Sequence, residues 1–104
     1  MALPITTPLH IVSKSPFANS ALGECLRVCG EQAVIILIED AVNAALANTE
    51  WALSLKSAGH SVFVLREDLE ARGLIALIDR SFNVVDYAGF VQLCCEHTPI
   101  VSWH

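Results

Sequence analysis

A chain of 104 residues is long enough for one domain and too short for two with separate cores. Hydrophobic residues make up 54% and charged residues only 16%, against about 25% charged in an ordinary soluble domain; part of the surface is therefore expected to lie against another subunit. A net charge of −5 with six Lys and Arg excludes the cationic footprint of direct nucleic-acid binding, and no apolar run reaches the roughly 18 residues of a membrane span.

Residues 1–8 read as a loose leader and residues 9–104 as a single domain. The start lacks a basic stretch followed by an apolar one, so no signal peptide is expected. A cytoplasmic chain with four reduced cysteines follows. Leu9 to Ser13 predicts a first strand, broken at Ser15-Pro16. Asn19 or Ser20 is placed to cap a helix in which Leu22, Cys25, Leu26 and Cys29 share one apolar face, with Gly30 ending it. Ala33 to Ile38 is apolar without alternation, the pattern of a strand buried on both faces of a parallel sheet.

Asp40 is placed to cap the Ala-rich stretch Ala41 to Ala47, and a helix from Glu50 to Ser57 leads to Gly59. Ser61 to Leu65 reads as a strand, and Asp68 as the cap of a short helix through Arg72, stopped by Gly73. Leu74 to Ile78 fits either a strand or a buried turn. Phe82 to Val85 reads as a strand, Asp86 as the cap of a helix from Tyr87 to about His97, and Ile100 to Trp103 as a closing strand. Strands alternating with helices predict an α/β three-layer sandwich with a mostly parallel sheet flanked by helices. Sites in such sheets form beyond the carboxyl ends of the strands. Here those ends carry Lys14-Ser15, Glu39-Asp40, Arg66-Glu67-Asp68 and Asp86.

The cysteines are the chemically pointed residues. A sulfur carrier needs an accessible thiol of depressed pKa, because the thiolate attacks. Cys25 has two readings: a packed small hydrophobe on the stripe with Leu22 and Cys29, or a reactive thiol near the helix start. Cys29, Cys94 and Cys95 read as structural. Neither the Cys25/Cys29 pair nor Cys94, Cys95 and His97 has the paired spacing of a zinc site. No glycine-rich phosphate loop is present either, so no metal or cofactor is expected. His10 lies in the opening strand, next in order to the helix of Cys25, which leaves a cysteine–histidine dyad conceivable. Trp51 reads as core or interface.

Four segments carry a family resemblance: His10-Ile11-Val12-Ser13-Lys14-Ser15-Pro16-Phe17, Ile38-Glu39-Asp40, Asp68-Leu69-Glu70-Ala71-Arg72-Gly73 and Asp86-Tyr87-Ala88-Gly89-Phe90-Val91. In this order they resemble the DsrH/TusB family of bacterial sulfur-relay subunits, from about Leu9 to His104. The resemblance implies a heterohexamer with two related small subunits, DsrE/TusD-like and DsrF/TusC-like, working with sulfur-carrier donor and acceptor proteins. It implies a role in passing persulfide sulfur, either towards 2-thiolation of the tRNA wobble uridine or within sulfur oxidation. It makes Cys25, which matches a cysteine of the sulfur-oxidising branch, the candidate persulfide carrier. It equally admits a non-catalytic scaffold that completes the hexamer and shapes a sister's sulfur-accepting site. Trp103 matches the family's terminal tryptophan, which implies docking.

Overall fold

The computed structural model describes residues 7–104, so most of the expected leader lies outside the described residues. Five strands form one sheet: β1 (Leu9–Val12), β2 (Val34–Leu37), β3 (Ser61–Leu65), β4 (Asn83–Val85) and β5 (Ile100–Trp103). The order is β4-β3-β2-β1-β5, and every pairing is parallel. The helices are α1 (Ala21–Val28), α2 (Glu50–Ser57), α3 (Arg66–Ala71) and α4 (Tyr87–Glu96), with a 3₁₀ helix at Glu39–Ala45.

Parallel neighbours need crossover connections, and these are right-handed. From β1 the chain steps through β2, β3 and β4 in one direction, so the intervening helices fall on one face. There Val12, Ile35, Leu37, Val62 and Val64 meet Leu22, Cys25, Ala52, Leu55 and Leu69 in the main core. The step from β4 to β5 runs the other way across the sheet, which sends α4 to the opposite face. Leu9, Val34 and Ile36 pack there against Leu93, with Phe90 and Cys94 at the margin. The three layers are therefore unequal: one face has four helical pieces over it and the other a single helix. β2 sits between β1 and β3, and all four of its residues are buried, which explains its lack of alternation.

Local chemistry sets the element ends. Asn19 Oδ1 accepts from the Ala21 amide at 2.7 Å, while Ser20 holds the N-cap position without a side-chain bond. Gly30 takes φ 75°, the left-handed turn that closes α1. Thr49 caps α2 by accepting from Ala52 N, and Asp86 caps α4 by accepting from Gly89 N at 2.9 Å. A Cβ on Gly89 would stand 3.0 Å from Val85 Cβ, so glycine lets α4 start tight against β4.

Two expected caps are corrected. Asp40 lies inside the 3₁₀ helix, whose N-cap is Ile38. Asp68 lies in the first turn of α3, because Leu65 passes from β3 into the helix with no intervening loop. The Ala-rich stretch winds as 3₁₀ from Glu39 to Ala45, not as a helix from Ala41 to Ala47. Leu74 to Ile78 forms turns, with one antiparallel bridge from Ile78 to Leu46. That segment is tied down by Lys56, whose Nζ meets Asp79 Oδ2 at 2.7 Å.

Truncating the central strand, Leu37→Ala, is expected to cost about 2–5 kcal/mol in urea unfolding, and the exposed Val91→Ala less than about 0.5 kcal/mol. The Lys56 hydrogen bond, with the Ser81 amide, holds the Asp79 carboxyl down at about 2, below the ordinary 3.8. Its contribution is complete above the unfolded value and lost as pH falls towards 2. Lys56→Met should flatten the acid limb of the stability curve between those two values.

Candidate functional site at the carboxyl edge of the sheet

At the carboxyl ends of the strands, residues from three of the four family-like segments meet. β2 runs into Glu39, which takes a left-handed φ of 49°, a conformation that costs a residue with a Cβ about 1–2 kcal/mol. Its amide donates to Asp68 Oδ2 at 2.6 Å, across from α3. Arg72, at the end of α3, reaches back with Nε at 3.1 Å and Nη2 at 2.9 Å from Asp40 Oδ1. Its Nη1 lies 3.6 Å from Asp68 Oδ1 and donates to the Asp68 carbonyl at 3.2 Å. Glu67 Oε2 accepts the Tyr87 amide at 3.1 Å, which ties the start of α4 to α3. Arg72 and the three carboxylates of Asp40, Asp68 and Glu67 thus lock the end of β2, α3 and α4 together, and with Glu39 and Asp86 the rim keeps a negative balance.

The strand pattern puts these groups at one edge, but Asp40 and Asp68 do not serve as caps, and Arg72 and Glu67 make bonds, to Asp40 and to the Tyr87 amide, that the local pattern does not announce. The spacing of Asp68 and Arg72, one helical turn apart, was a usable signal for their pairing. Nothing in the sequence marks the Glu67–Tyr87 contact, which joins elements brought together only by the sheet.

Cys25 is elsewhere. It lies on the inner face of α1 at 0% exposure, within the main core. Burial pushes its thiol up to about 12, and the neighbouring Cys29 adds to the rise. Cys29 is half-buried at the end of α1, where its Sγ donates to the Gly30 carbonyl at 3.4 Å, and burial raises its pKa as well. Cys94 is half-buried with a raised pKa, again chiefly through burial. Cys95 is exposed.

His10 is paired with Trp103, not with Cys25: Trp103 Nε1 donates to His10 Nδ1 at 3.1 Å, joining β1 to β5. Among the described residues no hydrogen bond links His10 to Cys25. Burial, then the charge of His60, lowers the His10 pKa, as suits a ring that accepts at Nδ1. Trp103 packs on the main core at its edge, and so does Trp51. Trp51 also lines an open groove of about 510 Å³ with Leu26, Arg27 and His60. Among the described residues no group of three or more His, Cys, Asp or Glu is arranged to hold a metal ion. No helix there is long and apolar enough to cross a membrane.

The site can therefore present a shaped acidic rim, but it brings no thiol to that rim. Iodoacetamide at neutral pH should label Cys95 first and Cys25 only on unfolding, read by peptide mass mapping. Because the folded His10 pKa is lowered, the His10–Trp103 link is complete above 6.5 and lost as pH falls through the folded value. In a Trp51→Phe background, Trp103 fluorescence should hold steady above 6.5 and change below it; His10→Gln should remove that change.

Residues 14–100 match the family described as DsrH like protein. Protein TusB of Shigella dysenteriae is 35% identical over 95 residues, 91% of this chain and 99% of that one. Protein TusB of Pectobacterium parmentieri is 37% identical with the same coverage, and that of Escherichia coli K12 is 34% identical. In fold the chain is similar to the crystal structure of the ychN protein from E. coli, with a TM-score of 0.80, 14% identity, and 94% of this chain and 99% of that chain covered. With the match spanning nearly the whole chain, this protein belongs to the DsrH/TusB family.

Proposed function

We propose that this chain is a subunit of a sulfur-relay complex, where it completes and shapes the sulfur-accepting site of a sister subunit without carrying sulfur itself. The observation that carries this reading is the state of Cys25, fully buried with its thiol pushed up to about 12. A thiol in that state supplies almost no thiolate at neutral pH and offers no path to a bulky donor. The sister subunits are of the DsrE/TusD and DsrF/TusC kinds, assembled with this chain as a heterohexamer in the cytoplasm. The similarity to TusB proteins favours the branch that ends in tRNA wobble-uridine thiolation. With a net charge of −5, contact with the tRNA falls to other members of the relay.

The competing role makes Cys25 a carrier. Its thiolate would attack the outer sulfur of a donor persulfide, the donor thiol would leave, and the sulfur would pass on to an acceptor thiolate. That route requires α1 to lift from the sheet.

The two roles separate in the assembled complex, loaded with a persulfide donor and read by intact mass, wild type beside Cys25→Ser. The expected result is a gain of about 32 Da, one sulfur atom, on a sister subunit and none on this chain. Leaving this chain out should slow the sister's loading about tenfold or more, since positioning is lost. A gain on this chain that disappears with Cys25→Ser would overturn the scaffold reading.

A further inference from the structure

Among the described residues β5 ends the sheet and pairs with β1 alone. Edge strands of soluble proteins are usually guarded by charges, proline, a bulge or short length. The opposite edge, β4, is three residues long. β5 is Ile100-Val101-Ser102-Trp103, with no charge, no internal proline and regular register along its whole length. Among the described residues no further strand lies against its outer side.

The register says which backbone groups are free. The Leu9 amide donates to the Pro99 carbonyl at 3.0 Å, and in a parallel ladder alternate residues turn both their groups to the same neighbour. Pro99, Val101 and Trp103 therefore face β1, while the amides and carbonyls of Ile100 and Ser102 point outward.

We propose that β5 is a self-pairing edge, and that two copies of this chain join β5 to β5, antiparallel, about a two-fold axis at Val101. In that register Ile100 stands opposite Ser102 of the second copy. Both residues have outward-facing groups, so each pair exchanges N–H···O bonds in both directions. Val101 faces its own counterpart in the close, non-bonded position. An axis at Ile100 or Ser102 would draw Thr98 or His104, outside β5, into the bonded pairs, and an axis between two residues would set outward groups against inward ones; an axis at Val101 keeps both bonded pairs within β5. The side chains agree with this pairing. Ile100 is 46% exposed on the α4 side, beside the small Ser102, and Val101 and Trp103 are half-buried on the other. In a chain of net charge −5 this strand is neutral, so two copies meet here without the repulsion that other faces would bring. The pairing needs no sulfur chemistry and stands apart from the relay reading.

The test uses the purified full chain in sedimentation equilibrium across the micromolar range. Wild type should approach twice the monomer mass. Ser102→Pro, which removes an outward amide and leaves the β1 ladder whole, should stay at monomer mass with an unchanged circular dichroism spectrum. Hydrogen exchange of the Ile100 and Ser102 amides in wild type should slow about tenfold or more as concentration rises. A Val101→Cys chain treated with diamide should form a disulfide between the two introduced thiols, identified by peptide mass. Wild type that stays monomeric, with no slowing at these amides, overturns the proposal and assigns the edge to a different chain. A Ser102→Pro dimer as strong as wild type, or an oxidised Val101→Cys chain lacking that disulfide, overturns it too.

Discussion

Right-handed crossover between parallel strands is the constraint on which the rest of this molecule depends. Three crossovers run one way and the fourth runs back across the whole sheet, and handedness then decides which face each helix covers. The result is a main core under several helical pieces and a second core closed by α4 alone. A low share of charged residues fits this arrangement, since one helix cannot cover the face of five strands. The apolar side chains left showing, among them Tyr87, Val91 and Ile100, are surface that an assembly can use.

The same topology collects the carboxyl ends of the strands at one rim. Glu39 is held in a strained backbone conformation by Asp68, and Arg72 sets Asp40 and Asp68 against each other. The strain and the ion pairs form one device: the turn after β2 is fixed by α3, and α3 is joined to α4 through Glu67. The core beneath α1 holds Cys25 away from that rim, and burial keeps its thiol protonated.

Much of the fold was legible because local patterns and tertiary demands coincide. AVIILI reads as a central strand, since burial on both faces removes alternation, and its middle four residues form β2; Ser61–Leu65 and Ile100–Trp103 begin and end where predicted. Gly30, Gly59 and Gly73 mark helix ends because their left-handed φ is needed there. The cap assignments failed where the helix begins before the aspartate, at Glu39 and at Arg66. Asp86 stands before its helix and caps α4, whereas Asp40 bonds to Arg72 and Asp68 to the Glu39 amide. Helix periodicity put Cys25 on an apolar stripe, but it could not say how deeply that stripe is covered.

By itself, then, the sequence determined the alternation of strands and helices, the parallel sheet and the family, because these rest on period, turn residues and segment order. Only the tertiary structure decided that Cys25 is sealed, that His10 belongs to Trp103, and that Arg72 joins Asp40 to Asp68. Each of these turns on which distant segments meet and how much water they exclude. Those quantities depend on strand order, and strand order leaves no mark in local spacing.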